Sequence, residues 1–145
     1  PEVGKTTFCC FLAASYIRQG LKVVYWANEE PADRIKLRII QSYFELTKQE
    51  MRQSRATLAV KYRDEIAPYL TVMDSVGTSV EEADEYAKLN KPDIMFMDQL
   101  DKFRIKGDFN RGDERLKETC VSKNKLNGWH GMVNAQIDVE KGVYY

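Results

Sequence analysis

Residues 22–31 read Lys-Val-Val-Tyr-Trp-Ala-Asn-Glu-Glu-Pro. The first six make a short run rich in β-branched and aromatic residues, the composition of a strand, and Asn28-Glu29-Glu30-Pro31 stops it. Pro31 then suits the first turn of a helix, where its fixed φ is already helical and its missing N–H has no partner to lose. A strand that hands over directly to a helix is the repeating unit of an α/β fold, so the flanking sequence is read for the same alternation.

Upstream, Gly4-Lys5-Thr6-Thr7 opens an amphipathic stretch in which Phe8, Leu12 and Tyr16, and beside them Cys9, Ala13 and Ile17, recur at helical spacing until Gly20. Downstream, Ile35, Ile39, Ile40, Tyr43 and Phe44 give a second helix its apolar side. Thr47-Lys48-Gln49-Glu50 is a capping-box pattern, and the chain up to Ile66 is expected to be mostly helical. Tyr69 to Met73 is a candidate strand, and Thr78 to Glu82 holds two overlapping capping boxes ahead of a helix that buries Val80, Ala83 and Ala87. Asn90-Lys91-Pro92 ends that helix.

Ile94-Met95-Phe96-Met97 is a continuous apolar run closing on Asp98, which predicts a central parallel strand covered on both faces. A polar loop from Gly107 to Asp113, a helix over Glu114 to Lys125 and a last strand from Gly131 to Ala135, ending at Gln136, complete the alternation. The expected architecture is an α/β domain with a doubly wound, mostly parallel sheet flanked by helices.

At 145 residues, 43% hydrophobic and 30% charged, the chain can bury one sizeable core. Lys plus Arg equals Asp plus Glu at 22 each, so no whole-chain field draws a polyanion, and any nucleic-acid contact must come from local loops. Cys9, Cys10 and Cys120 form neither a metal spacing nor a disulfide framework, which suits a reducing compartment. No apolar run approaches the roughly 18 residues that cross a bilayer, so a cytoplasmic protein without a membrane partner is expected.

The chemistry gathers at three places. Pro1-Glu2-Val3-Gly4-Lys5-Thr6-Thr7 matches the later part of the phosphate-binding pattern G-x-x-x-x-G-K-[ST]. In that pattern glycine lets backbone amides approach phosphate oxygens while the lysine and the hydroxyl handle phosphate charge and Mg²⁺. Glu2, Val3, Gly4, Lys5, Thr6 and Thr7 are therefore the candidate nucleotide-binding residues, with ATP or another nucleoside triphosphate and Mg²⁺ as the ligands. Asp98, at the end of an apolar strand, is the candidate second metal group beside Thr6. The residue after Asp98 is Gln99, so a water-activating carboxylate has to come from elsewhere, and Glu29 and Glu30 stand at the end of the strand after the first helix. Two solvated acids favoured by a helix dipole would read the same way.

Val-Val-Tyr-Trp-Ala-Asn-Glu-Glu-Pro-Ala-Asp-Arg-Ile-Lys-Leu-Arg, residues 23–38, resembles the strand, catalytic glutamate and arginine-bearing helix of DnaB-type and bacteriophage replicative helicases. Asp93 to Phe103 is similar to that family's second motif, and Met132-Val133-Asn134-Ala135-Gln136 to its third. Two departures are visible: Gln99 stands where the family usually has Tyr, and residues 124–130 match its approach to the third motif poorly. The resemblance implies a RecA-like ATPase with Glu29 as base, Lys5 on the phosphates and Gln136 sensing the γ-phosphate. It also implies a homo-hexamer that translocates on single-stranded DNA, with primase and other replisome proteins as partners. Residues 1–145 would then be a partial ATPase domain, inactive alone, with its first strand, last strands and arginine finger outside it.

Rival readings stay open: a recombinase or circadian-clock-type ATPase, or a nucleotide-gated module like a helicase loader. Lys102, Arg104, Lys106 and Arg111 are candidate contacts to a DNA backbone, or simply a solvated loop. His130, the single histidine, reads as structural, and Tyr25 and Trp26 as core rather than base-stacking residues.

Overall fold

The computed structural model describes residues 4–99, 103–104, 137–138 and 140–144. Three parallel strands lie in the order β2-β1-β3, where β1 is Val23–Ala27, β2 is Leu70–Asp74 and β3 is Ile94–Met97. The register sets Tyr25 beside Val72 on one side and Phe96 on the other, so one row of the sheet is continuous across all three strands.

Alternation along β1 divides the core in two. Val23, Tyr25 and Ala27 face the helices α1 (Lys5–Arg18), α2 (Ala32–Phe44) and α4 (Arg55–Lys61). Val24 and Trp26 face the opposite layer, with Ala83 of α5 (Val80–Asn90) and Phe103. Tyr25 stacks on Phe96 at 5.5 Å, and Trp26 meets Tyr86 and Phe103 edge-on at 5.7 and 6.3 Å. Both aromatic residues of β1 are thus core, as their place in an alternating strand suggests.

The connection from β1 to β2 runs one way along the sheet and the connection from β2 to β3 returns past β1. Their helices cover opposite faces, which is what crossovers of one handedness require when they run in opposite senses. The result is an α/β arrangement with helices on both sides of a small parallel sheet.

Local sequence accounts for the element ends. Thr47 caps α3 (Lys48–Gln53) and Ser79 caps α5, each in a reciprocal box with a glutamate three residues on. The bonds Glu50 takes from Thr47 hold its carboxyl below the usual range. Asp74 accepts from the Ala32 amide at 2.9 Å and so supplies α2 with a first-turn acceptor from a neighbouring strand, a partner with no sequence signature. Between α4 and β2 the helix widens into a π-turn over Tyr62–Ile66, with Ile66 buried.

Two features of the described residues differ from the expectations. Among the described residues β3 is an edge strand, half-buried throughout, and the central strand is β1, buried at all five positions. Both runs are continuously apolar, and that pattern reports cover without naming neighbours. On α1 the buried stripe is Thr6, Cys10, Ala13, Ala14 and Ile17, while Phe8 is 44% exposed. Small side chains let α1 approach the sheet and α2 closely, so packing selects the alanines over the bulkier Phe8 and Leu12.

A second, two-stranded antiparallel sheet pairs β4 (Ile137–Asp138) with β5 (Val143–Tyr144). Gly142 turns the chain between them with φ +67°, and Val143 is buried. The Gln41 amide donates to the Glu140 carbonyl, fastening this hairpin to α2. The expected segments 107–113, 114–125 and 131–135 lie outside the described residues.

Candidate functional site

Parallel strands all end at the same edge of a sheet, and ligands of open α/β sheets bind there. At that edge β1 releases Asn28, Glu29 and Glu30, and β3 releases Asp98 and Gln99. The Asp98 amide still donates to the Trp26 carbonyl at 3.1 Å, which fixes Asp98 one step beyond the paired register. The Asn28 side chain reaches the Gln99 carbonyl at 3.4 Å and the Ser75 hydroxyl donates to the Ala27 carbonyl at 2.9 Å, tying all three strand ends together.

The start of α1 comes to the same place. Gly4 precedes the helix with no side chain to cap it, no acidic residue lies in the first turn, and a Cβ added to Gly4 would meet nothing within 4 Å. A helix start with these features favours an anion, through its dipole and its amides. Lys5 is exposed there and Thr6 is buried.

The thiols report which charges surround the first turns of α1. Burial is the main cause that raises Cys9, with Asp98 adding to it and Lys5 opposing it. Cys10 is pushed up to about 12, chiefly by burial, with Arg38 opposing and Glu30 and Asp98 contributing. Lys5 and Asp98 thus act on Cys9, and Arg38, Glu30 and Asp98 on Cys10, around the first turns of α1. Both cysteines stay as neutral, small buried groups.

The two acids after β1 differ. Glu30 is gripped by Arg38, whose Nη2 and Nε lie 2.8 and 3.2 Å from its two carboxylate oxygens. Arg38 also points Nη1 at the Thr7 hydroxyl, 3.4 Å away. Glu29 is exposed and makes no such pair. Arg38 was not singled out from sequence: it stands eight residues from Glu30, across a strand-to-helix turn, and no periodic rule pairs that spacing.

Among the described residues no group of three or more His, Cys, Asp or Glu is placed to hold a metal alone. The oxygen donors near the helix start, Thr6 and Asp98, suit Mg²⁺ that takes its remaining ligands from phosphate and water. Gly142 brings the β4–β5 hairpin to the same region, since a Cβ there would lie 3.9 Å from the Thr7 methyl.

Arg104 is exposed and its backbone pairs with Thr78 and Val80, so it is anchored beside the start of α5. Glu2, Val3, Lys102, Lys106, Arg111 and Gln136 lie outside the described residues, as do Cys120 and His130. No helix among the described residues is long and apolar enough to cross a membrane. Comparison with models of known families, with curated proteins and with solved structures finds no match.

Proposed function

We propose that this chain carries the nucleotide site of a RecA-like, ATP-hydrolysing DNA helicase of the DnaB type. The observation that supports this most is the meeting, at one sheet edge, of the glycine-led start of α1 with Lys5 and the strand ends bearing Glu29 and Asp98.

In this reading Lys5 neutralises phosphate charge beside the amides that open α1, and Thr6 and Asp98 are the oxygens that would hold Mg²⁺. The metal, when bound with nucleotide, offsets charge that develops on the transferred phosphoryl group. Glu29, unpaired with Arg38 and exposed, is the base that orients and deprotonates the attacking water. Glu30, held by Arg38, instead fastens the strand end to Thr7.

Gln136 immediately precedes β4, and the hairpin that follows reaches Thr7 through Gly142. The role proposed for Gln136, coupling phosphate release to a moving segment, rests on the motif resemblance. Single-stranded DNA, a homo-hexameric ring and replisome partners belong to the same proposal and rest on the motif resemblance.

The test is Lys5→Ala in the protein that carries this segment, with Mg-ATP binding, hydrolysis and unwinding of a forked duplex measured together. Loss of binding or turnover is expected, and unchanged turnover refutes the phosphate-loop assignment. Strand exchange without unwinding by the unaltered protein would favour the recombinase reading.

A further inference from the structure

A groove lies between α2 and the α3–α4 pair, and its walls are cationic. Arg34 and Arg38 line it from α2, and Lys48, Arg52 and Arg55 from the facing helices, in a cavity of about 1060 Å³ whose lining continues to Gly4, Thr7, Cys10 and Gly142. Arg34 and Arg38 stand one turn apart on α2, and the facing cations come from two helices, Lys48 and Arg52 from α3 and Arg55 from α4. Glu30 is the carboxylate that lines the groove, and Arg38 already holds it. Among the described residues, Arg34, Lys48, Arg52 and Arg55 have no carboxylate within ion-pair distance.

Four cations gathered without counter-charges, in a chain whose formal net charge is zero, repel one another and favour an anionic occupant. The floor between them is apolar: Leu37 is 55% exposed, Met51 is half-buried, and Leu58 is largely buried at 9%. No Phe, Tyr or Trp lines the groove, so unstacked bases would find no ring to lie on. An apolar floor with charged rims, running between helices, has the form that receives an amphipathic helix.

We propose that this groove docks an acidic amphipathic helix of a partner protein. Apolar side chains on one face of that helix sit on Leu37, Met51 and Leu58. Its flanking Asp and Glu residues pair with Arg34, Lys48, Arg52 and Arg55. The same cavity reaches Gly4 and Thr7 at the start of α1, but the proposal does not rest on the nucleotide reading, because Leu37, Met51, Leu58 and the four cations have no assigned part in that chemistry.

The test uses three fluorescein-labelled probes in anisotropy titrations. One is a synthetic helix with Leu at i, i+4, i+7 and i+11 among Glu residues; the second has the same composition with its leucines scattered around the helix; the third is oligo(dT). The first probe should bind saturably, about tenfold tighter than the scattered one, and should loosen as salt is raised. Arg52→Glu with Arg55→Glu should weaken it by at least about tenfold, as should Leu37→Glu, while Arg52→Lys with Arg55→Lys should retain it. These positions are exposed, and thermal melts of each variant verify that folding is intact. Absence of saturable binding, equal binding of the scattered probe, or binding indifferent to charge reversal would overturn the proposal. Tighter binding of oligo(dT), lost on the same charge reversal, would make the groove a nucleic-acid surface instead and equally overturn it.

Discussion

Glu29 and Glu30 are adjacent, chemically identical and open the same turn, yet the structure sets Glu30 against Arg38 and leaves Glu29 exposed, so substituting each with Gln separates catalysis from stability. Glu30 receives two N–H donors from Arg38 in a forked arrangement at 2.8 and 3.2 Å. The side chains are 21% and 42% exposed, which places the pair at the upper end of the range for surface ion pairs, about 0.5–1 kcal/mol. Glu30→Gln should therefore lower stability by that amount, on the order of 3 °C in Tm for a protein of this size. Glu29 is exposed, and Glu29→Gln should change stability by less than about 0.5 kcal/mol. If Glu29 is the base, however, hydrolysis should slow roughly 100-fold, equivalent to about 2.7 kcal/mol in the barrier, with ATP still bound. Single-turnover phosphate release gives the first quantity and thermal melts the second. Arg38→Ala provides an internal control, because it should reproduce the stability loss of Glu30→Gln and add little to it in the double variant. Loss of hydrolysis in Glu30→Gln with normal turnover in Glu29→Gln would show that the reasoning from the Arg38 contact is wrong and that the base is Glu30.

Two further predictions concern stability. Cys10 titrates near 9.0 ordinarily and at about 12 in the fold, so the folded chain keeps a proton that the unfolded chain loses. Its stabilising contribution is complete below pH 9 and falls as pH rises from 9 toward 12, by about 1.4 kcal/mol at pH 10. Urea unfolding at pH 8 and 10 should therefore show a loss that is larger by this amount in the unaltered protein than in Cys10→Ala, and parallel losses would contradict it. Ser79→Ala should cost about 1–2 kcal/mol and more than Thr47→Ala, because Ser79 is 2% exposed and the Glu82 amide would lose its acceptor away from water. Chemical denaturation of the two variants decides the ranking, and equal costs would refute the burial argument.

Much of this protein was legible along the chain because the relevant forces act between near neighbours. Strand residues 23–27, the apolar run 94–97 and the boxes Thr47–Glu50 and Ser79–Glu82 are each complete within a few residues, and the structure forms all four. The alternation of these elements implied parallel strands, and parallel strands carry their carboxyl ends to one edge, where the structure sets the ends of β1 and β3 side by side.

What the chain could not show depends on which surfaces meet. Apolar runs in β1 and β3 look alike, and only strand order makes Val23–Ala27 the centre and Ile94–Met97 the edge of the described sheet. Hydrophobicity favoured Phe8 on α1, whereas the narrow gap between α1, α2 and the sheet selected Ala13 and Ala14. The Arg38 fork on Glu30 and the cationic groove along α2 arise between residues whose sequence separation follows no period. Local propensity sets what each segment becomes, but pairing across a turn or between helices is set by the packing of whole elements, and a single chain of letters carries no direct record of that distance.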